Sequence, residues 1–457
     1  MGTVGINFGA ASSGQGFDVA STVTAILSAQ QAIETPWKGQ LSSMQAQDAV
    51  FTSLGTDLST LTTNMQALTD FTGVMAAKQG ASSDTNVLTL TGASSTAVAG
   101  SHTVVVNSLA QTSSQYSTTL TNASDTLSGS LTIQVGSGTS QTITVDSSSN
   151  TLATLAAAIN SAAIGVSASV ITDVSGSRLS LVSGTGGSAG NLTVTSALTD
   201  ATTSTSMSFQ VGQAGADASL TVDGVALQSS TNTVSTAIPG VTFQLLSSSP
   251  GTQVQVQITN DNSAIATAMN SFVNAYNAVV RDINTQEGND STGNPEPLFG
   301  SPTLALIQSQ LSSALFGGAA SGAISSVTQL GIGTNKDGTL SLNTDTLDSA
   351  LNSSFSDVTG FLQNSGSFGQ TMQTTLNNLG TQAPNGLVYL AQQQNGAEET
   401  ALSQSISAED ARLADEKTSL TTELNEANQI LQAIPSQLNQ VDEMYSAITG
   451  YNTGNGG

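Results

Sequence analysis

Residues 420–448, LTTELNEANQILQAIPSQLNQVDEMYSAI, form the most regular stretch of the chain. Apolar residues recur there in alternating steps of four and three positions: Leu420, Leu424, Ala427, Leu431, Ile434, Leu438, Val441, Tyr445 and Ile448. This spacing keeps a narrow apolar stripe on one side of a helix, as in the seam of a coiled coil. The stretch therefore predicts a long C-terminal helix that needs a partner helix along its stripe.

The same stripe extends backwards through Ile406 and Leu413. Asp410 and Lys417 fall on its seam, and polar seam residues generally fix register while lowering stability. Pro435 lies inside the predicted helix, where its ring and its missing N–H predict a kink or a division.

A second stripe with the same spacing lies near the start of the chain. Its apolar members are Trp37, Leu41, Met44, Phe51, Leu58, Leu61, Met65 and Leu68. Asp48 and Gly55 occupy two further seam positions. The pattern predicts a helix that continues to Phe71.

Local signals place the ends of the N-terminal helices. Thr35 and Pro36 favour a helix start, because threonine caps helices well and proline is tolerated in the first turn. We therefore expect one helix to end near Ile33 and a second to begin there. Asp18 is the predicted N-cap of the earlier helix.

The two stripes lie at opposite ends of the chain, and each is too narrow to be buried all round. The arms that carry them are therefore predicted to pair with each other, with other subunits, or both. Terminal segments are normally ordered only when they are docked onto something. The candidate interaction residues are the eight apolar residues listed from Trp37 to Leu68 and eight of those listed from Leu420 to Ile448. Ala427 is left out because its side chain is small.

Between the arms the period changes from helical to two. Alternation of apolar and polar residues predicts half-buried antiparallel strands at 88–90, 131–135, 143–145, 179–181 and 254–258. One short helix is expected at 152–159, and helices return at 263 and at 303–315. The turn 336–338 precedes a predicted strand at 339–342. The fold class is therefore α+β multidomain, with β-rich domains inserted between coiled-coil-type helical arms.

We divide the chain into four regions by this pattern. Residues 1–78 form an N-terminal helical arm, and residues 79–262 form one or two β-rich domains. Residues 263–400 form a helical domain with a small β element. Residues 401–457 form the C-terminal coiled-coil arm.

Composition restricts the kinds of partner. Acidic residues outnumber basic ones 31 to 7, which gives a formal net charge of -24. Nucleic acid and anionic membrane surfaces attract clustered Lys and Arg, so both are excluded as expected partners. No apolar run approaches the roughly 20 residues of a membrane span.

The chain has no cysteine, which excludes disulfides, thiol nucleophiles and Cys-based metal sites. The first basic residue is Lys38, so no charged segment precedes an apolar core as a secretory leader requires. We expect the protein either to stay inside the cell or to leave by a route without a cleaved leader.

No catalytic constellation is evident. His102, the single histidine, is interpreted as a surface or packing residue at the start of a strand. Residues 186–190, GGSAG, fit a nucleophile-elbow pattern, but that motif needs a following helix and residues 191–194 predict a strand. Phosphate-binding and calcium-loop motifs are absent. The sequence therefore predicts no enzyme, cofactor or metal site.

Several short motifs share their order and spacing with one known family. They are GFDV at 16–19 with ETP at 34–36, SLAQ at 108–111, VDGV at 222–225, NTV at 232–234, IPGV at 238–241, FVNAYN at 272–277, LGI at 330–332 and DGTL at 337–340. Residues 152–161, 165–166 and 178–179 also resemble an insertion motif of flagellins and hook-associated proteins. Together these motifs cover nearly the whole chain, which resembles the flagellar hook-associated protein 2 family, the filament cap.

The resemblance implies a ring-shaped homo-oligomer, with a pentamer favoured, at the distal tip of the bacterial flagellum. There it would promote folding and polymerisation of exported flagellin. The resemblance further implies that residues 79–262 form two domains, the plate and outer domains, that residues 263–400 form a stalk domain, and that the arms form leg and stalk. Further implied partners are the hook–filament junction proteins and a flagellar export chaperone. Export through the flagellar type III apparatus, without a cleaved signal peptide, agrees with the missing leader.

Two alternatives remain open at this point. The nearer one is another flagellar axial protein, either flagellin or a hook–filament junction protein. The more distant one is a cell-surface adhesin, and adhesion to mucin or host surfaces is a conceivable secondary role for a cap.

Overall fold

A computed structural model describes residues 16–450, so residues 1–15 and 451–457 of the two predicted arms lie outside the described range. The described chain divides into two compact units. A mainly helical unit combines the residues up to Gln66 with those from Met269 onward, and Ala67–Ala268 form a β-rich unit. The predicted α+β class, with helical arms flanking β-rich domains, is confirmed.

Eight α-helices lie within the described residues. They are α1 (Val19–Gln31), α2 (Glu34–Thr69), α3 (Leu152–Ser161), α4 (Asn262–Gln286), α5 (Pro302–Leu315), α6 (Thr344–Gln363), α7 (Phe368–Leu379) and α8 (Leu387–Thr449). The 63 residues of α8 span about 95 Å at 1.5 Å per residue. This helix is the longest element of the described chain.

Twenty β-strands lie within the same residues. They are β1 (Lys78–Ser82), β2 (Leu88–Ala93), β3 (Gly100–Ser108), β4 (Thr112–Ser117), β5 (Leu127–Ser128), β6 (Ser130–Val135), β7 (Gln141–Thr144), β8 (Val166–Asp173), β9 (Gly176–Gly186), β10 (Leu192–Ser196), β11 (Leu198–Asp200), β12 (Thr205–Met207), β13 (Phe209–Gln213), β14 (Ala218–Val222), β15 (Val225–Ser229), β16 (Thr233–Ile238), β17 (Val241–Leu245), β18 (Val254–Asn260), β19 (Ile332–Thr334) and β20 (Leu340–Leu342). All strand pairs are antiparallel, as the alternating pattern predicted.

The β-rich unit contains two separate hydrophobic clusters. The first draws on the sheet β1-β18-β3-β14-β15 and the sheet β16-β17-β2, with Val104, Phe243 and Val256 fully buried. The second draws on three further sheets, β13-β4-β9-β8, β10-β6-β7 and β12-β11-β5, together with α3. Alternate strand residues therefore supply the first core, and alternate strand residues together with one face of α3 supply the second.

Most predicted element boundaries hold to within one or two residues. Asp18 caps α1 as predicted, because its Oδ1 accepts hydrogen bonds from the N–H groups of Ala20 and Ser21. Helix α2 begins at Glu34, so Thr35 and Pro36 lie inside its first turn and the predicted threonine N-cap is wrong. It ends at Thr69 rather than at Phe71.

Pro435 does not divide the C-terminal helix, and the predicted division is wrong. The proline lacks an N–H, so it cannot donate to the carbonyl of Leu431 one turn earlier. The remaining backbone hydrogen bonds of α8 carry the helix through this position.

The small β element is held to the helical unit by one asparagine of α4. Nδ2 of Asn277 donates to the carbonyl oxygen of Leu340 at 2.8 Å, and its Oδ1 accepts from the Leu340 N–H at 2.6 Å. This buried amide acts as an extra strand neighbour for β20, the outer strand of its hairpin. The residue belongs to the FVNAYN motif, for which the contact provides a physical reason.

Replacing Asn277 by Leu should lower the free energy of unfolding of the helical unit by about 2 to 6 kcal/mol. The change leaves two buried backbone groups without partners, each costing about 1 to 3 kcal/mol. Urea denaturation followed by helical circular dichroism measures the effect. Asn274→Leu, on the exposed side of the same helix, is the matched control and should change stability by less than about 0.5 kcal/mol. Equal effects of the two variants would contradict the assigned role.

Candidate assembly surface on the helical arms

Helix α8 packs first against α1. The apolar residues Val19, Val23 and Leu27 recur every four positions and form one buried face of α1. They form a cluster with Leu413 of α8, and Leu420 and Leu424 pack at its edge. The predicted pairing of the two arms is therefore present within a single chain.

Three hydrogen bonds show that the arms run antiparallel. The Phe17 N–H donates to Oδ1 of Asn428 at 2.9 Å, and Nε2 of Gln30 donates to Oε1 of Glu416 at 2.7 Å. Further along, Nε2 of Gln392 donates to Oγ1 of Thr52 at 3.0 Å. Residue numbers rise along the N-terminal arm while they fall along α8. The C-terminal part of α8 therefore contacts α1, and its N-terminal part contacts α2.

The α2 stripe is buried over most of its length. Trp37 and Leu41 are half-buried at its start, and burial is nearly complete from Met44 onward. The buried members are Met44, Phe51, Leu58, Leu61, Met65 and Leu68. Leu54, which the predicted stripe omitted, is also buried, and its spacing of four from Leu58 was the signal that identifies it.

The two interruptions of the α2 stripe have distinct causes. Asp48 accepts a hydrogen bond at Oδ1 from Nδ2 of Asn395 in α8 at 3.1 Å, which fixes the register of the two helices. Gly55 lies where a Cβ atom would stand 2.6 Å from a methyl group of Thr381. A larger residue at position 55 would therefore push apart α2 and the segment before α8.

Charged residues cluster at the break between α1 and α2. Nζ of Lys38 lies 2.6 Å from Oε2 of Glu34 and 3.8 Å from Oδ1 of Asp410. Across from them Arg412 lies within 2.7 Å of both Glu409 and Glu416. The hydrogen bond from Arg412 lowers the pKa of Glu409, and the hydrogen bond to Glu34 raises the pKa of Lys38. Asp410, a predicted polar seam residue, thus has a cation as its neighbour.

Beside this break the packing of α2 against α8 opens into a cleft of about 490 Å³. It is lined by Leu41, Gln45, Glu399, Thr400, Ser403, Gln404 and Ser407. Mostly polar side chains face one another here, in contrast to the apolar contacts above and below. The contact between α2 and α8 is therefore open and polar next to the ion pairs.

Beyond Asn428 the stripe of α8 has no partner among the described residues. Leu431 and Ile434 are half-buried, whereas Leu413 is only 5% exposed. The last four members are exposed to 50%, 59%, 55% and 80%: Leu438, Val441, Tyr445 and Ile448. We call these four residues the exposed strip. The predicted interaction residues therefore divide into an intramolecular seam and a solvent-exposed part.

His102 and Ser188, the two residues weighed above as catalytic candidates, each contact an aspartate between neighbouring strands. Nδ1 of His102 lies 2.7 Å from Oδ2 of Asp223, and this hydrogen bond lowers the pKa of Asp223. The pair joins β3 to the turn between β14 and β15. Ser188 of the GGSAG segment donates to Asp217, and strand β10 follows rather than a helix. The strand that the sequence predicted after this segment is confirmed.

Within residues 16–450 no group of three or more His, Asp or Glu side chains is placed to hold a metal ion. None of the helices in that range is both long enough and apolar enough to cross a membrane.

The two terminal arms pair in antiparallel orientation, the β-rich domains lie between them in the sequence, and an apolar strip stays exposed at the end of α8, a combination typical of structural proteins. The match to known families is specific. Residues 15–113 match the N-terminal region and residues 215–449 the C-terminal region of flagellar hook-associated protein 2. Residues 130–185 match the flagellin hook IN motif, as the resemblance predicted. The chain belongs to the flagellar hook-associated protein 2 family.

The chain aligns with known proteins of this family over most of their lengths. The B-type flagellar hook-associated protein 2 of Pseudomonas aeruginosa is 32% identical over 339 residues, covering 68% of this chain and 71% of the relative. Flagellar hook-associated protein 2 of Escherichia coli K12 is 32% identical over 371 residues, covering 76% and 78%. These matches favour the cap family over flagellin, the junction proteins and surface adhesins.

The fold has a solved counterpart. The crystal structure of the D1-D2-D3 domains of the flagellar cap protein FliD from Escherichia coli aligns with a TM-score of 0.56 and 29% sequence identity. The alignment covers 76% of this chain and 99% of that one. Both in sequence and in fold, the chain is thus similar to structural cap proteins.

Replacing Gly55 by Ala should destabilise the helical unit by about 1 to 3 kcal/mol, because the new methyl group overlaps Thr381. Gly39→Ala in the same helix is the matched control, since no atom lies within 4 Å of its Cβ position. The control should gain about 0.5 to 1 kcal/mol from helix propensity alone. Thermal denaturation compares the two variants, and a stabilised Gly55→Ala protein would contradict the close packing.

Replacing Asp57 by Asn should raise the Tm at pH 7. Burial and the carboxylate of Asp282 in α4 raise the pKa of Asp57 from 3.8. Because the folded pKa lies above the unfolded value, its favourable contribution is complete only below pH 3.8 and is lost as pH rises. The advantage of the Asn variant should therefore shrink as pH falls towards 4. Asp442→Asn, at an exposed position of α8, is the matched control and should leave the Tm at pH 7 unchanged, and a pH-independent Asp57→Asn effect would refute this account.

Proposed function

We propose that this protein caps the distal tip of the bacterial flagellar filament and promotes the folding and polymerisation of exported flagellin. Support comes from membership of the flagellar hook-associated protein 2 family and from a fold shared with a FliD cap protein. The protein acts outside the cell as a ring-shaped homo-oligomer, for which we favour a pentamer.

The observation that carries this proposal is the exposed strip of α8. Burial of this strip by a partner is favourable by roughly 25 cal/mol per Å² of apolar surface. The strip consists of the exposed residues Leu438, Val441, Tyr445 and Ile448. The stripe of α8 is covered by the same chain around Leu413 and exposed from Leu438 onward. This arrangement suits an arm whose end docks onto other subunits. We assign flagellin and neighbouring copies as the partners of this arm.

The proposed mechanism is mechanical. A cap that does not match the filament lattice leaves one gap open beneath its β-rich plate at each step. An emerging flagellin is confined in that gap and folds against its neighbours, burying apolar surface as it does so. This burial supplies the energy, so capping requires no nucleotide.

The cleft and the ion pairs at the break between α1 and α2 fit this mechanism. An arm must stay attached while the cap rotates and climbs, and a loosely packed polar segment bends at lower cost than a closed apolar seam. We therefore place the bending point of the arm near Lys38 and Asp410. The closed seam on either side transmits the movement.

Further assignments follow from the same family role. The protein leaves the cell through the flagellar type III apparatus without a cleaved signal peptide. It meets the hook–filament junction proteins when the cap is first placed, and a cytosolic export chaperone binds the C-terminal arm beforehand. Residues 79–262 form the plate and outer domains, whereas the two arms with residues 263–400 form leg and stalk.

Deleting the gene and locating flagellin tests the function directly. We expect secreted but unpolymerised flagellin in the medium, and restoration of filaments when the purified protein is added back. Normal filaments after deletion would reject the capping function. Loss of flagellin itself, without monomer in the medium, would identify the chain as the filament subunit instead.

The double variant Leu438→Asp with Val441→Asp should abolish capping while the monomer stays folded. Both side chains are exposed, so their replacement spares the intrachain seam. A carboxylate buried in a partner contact costs several kcal/mol, and about 3 kcal/mol already weakens binding roughly 100-fold. Complementation of the deletion strain, with ring formation scored by electron microscopy, measures the loss.

Gln429→Asp with Ser436→Asp adds the same charge on the opposite side of α8 and is the matched control. Both positions are exposed and lie off the apolar stripe. The control should complement the deletion fully. Wild-type capping by both double variants would remove the exposed strip from the mechanism.

A further inference from the structure

A second apolar surface of the helical unit lies between α4, α5 and the hairpin of β19 and β20. These elements enclose a groove of about 340 Å³, which we call the α4–α5 groove. Its large apolar lining residues are Tyr276, Val280, Ile283, Leu311, Leu315 and Phe316. The first five are buried and form the floor, whereas Phe316 at the end of α5 is 65% exposed. An exposed aromatic ring beside an apolar floor is typical of a surface that binds another apolar group.

Two of the seven basic residues of the chain lie at the hairpin end of this groove. Lys336 is exposed in the turn between the lining residues Thr334 and Gly338. Arg281 follows Val280 in α4 and acts on the same turn. There the hydrogen bonds from Thr339, followed by smaller effects that include the charge of Arg281, lower the pKa of Asp337.

The charge at this end of the groove is not neutralised by its surroundings. Among the described residues, neither Lys336 nor Arg281 forms an ion pair within 4.0 Å. Residues 297–335, which include all of α5, carry no charged side chain. Asp282 contacts α2 instead, because its Oδ2 accepts a hydrogen bond from Oγ of Ser53 at 3.3 Å. Two cations therefore face the single carboxylate of Asp337.

The exposed strip of α8 has the opposite charge. Residues 418–449 of this helix contain four acidic residues and no basic one: Glu423, Glu426, Asp442 and Glu443. Asp442 directly follows Val441 of the strip and lies beside it on the helix surface. An apolar strip with acidic neighbours complements an apolar groove with basic ones, in both hydrophobicity and charge.

A single chain cannot bring its own strip to its own groove. Asp282, which adjoins Ile283 of the groove, bonds to Ser53, and the adjacent Thr52 accepts a hydrogen bond from Gln392 of α8 at 3.0 Å. The groove therefore lies near the level of Gln392. Leu438 lies about 70 Å further along the same helix, at 1.5 Å per residue, and α8 is continuous between the two points.

We propose that the exposed strip of one copy binds in the α4–α5 groove of a second copy. The apolar side chains of the strip lie against the floor and Phe316, and Asp442 lies near Lys336 and Arg281. This inference rests on the proposed assignment of neighbouring copies as partners of the arm. It adds the surface on the second copy that receives the strip.

The absence of native cysteine allows a cross-linking test on full-length protein without flagellin. Tyr445→Cys protein is mixed with a Ser312→Cys protein of different mass, and disulfide-linked heterodimers are followed on non-reducing gels. Ser312 lines the groove, whereas the equally accessible Ser313 does not, so Ser313→Cys is the matched control. We expect the Ser312 pair to cross-link about tenfold faster than the Ser313 pair, because binding raises the effective concentration of the first pair alone.

Charge reversal in the groove provides a second measurement. Lys336→Glu should slow cross-linking of the Ser312 pair several-fold, and added salt should reduce the difference from the parent protein. Lys417→Glu makes the same change of net charge at an exposed position of α8 away from both surfaces, so it is the matched control. Its cross-linking rate should equal that of the parent.

Two results would overturn the proposal. One is an equal cross-linking rate for the Ser312 and Ser313 pairs. The other is a Tyr445→Cys homodimer that forms faster than the heterodimer, which would pair the strip with the strip of another copy. Because flagellin is absent from these experiments, either result leaves the capping assay of the Leu438→Asp and Val441→Asp variant intact. Loss of capping in that variant without cross-linking to the groove would leave flagellin as the partner of the strip.

Discussion

The antiparallel pairing of the two chain ends along α8 is the contact on which the remaining architecture depends. It joins Phe17 to Asn428 and Thr52 to Gln392, residues that lie more than 300 positions apart. The residues between these contacts therefore form one long loop that the pairing closes. The entropy lost on closing a loop grows only with the logarithm of its length, so large β domains can be inserted at little additional cost.

The pairing also explains how one helix serves two purposes. Over residues 388–424 the stripe of α8 is covered by α1, α2 and neighbouring segments, whereas from Leu438 it faces water. From Ile406 to Ile448 the seam positions recur every three or four residues, and only Asp410 and Lys417 among them are charged. What changes is the partner, because α1 begins at Val19 and the described chain opposite α8 starts at Gly16. Hydrophobic periodicity predicts that a face needs covering, but it does not identify the cover.

This distinction separates what the sequence predicts from what it does not. The stripes, the strand alternation and the cap at Asp18 are local signals, and each is found in the structure close to its predicted place. The roles of Asp48 and Gly55 required partners distant in the chain, namely Asn395 and Thr381. Val388, fully buried at the start of α8, lies before the regular part of the stripe and was missed for that reason. The continuity of α8 through Pro435 likewise depends on hydrogen bonds on both sides of the proline.

The scarcity of Lys and Arg gives the break between α1 and α2 a particular electrostatic character. Two of the seven basic residues, Lys38 and Arg412, lie here, and each contacts two carboxylates. At this break the apolar seam is interrupted and a polar cleft adjoins it, so charge pairs replace hydrophobic contacts. Exposed ion pairs contribute at most about 1 kcal/mol each and weaken with salt. Only the Lys38–Asp410 pair, at 3.8 Å, joins α2 to α8, whereas the Lys38–Glu34 pair and the two Arg412 pairs lie within one helix. A single weak ion pair across a polar cleft resists bending less than an apolar seam does, which suits the arm movement proposed above.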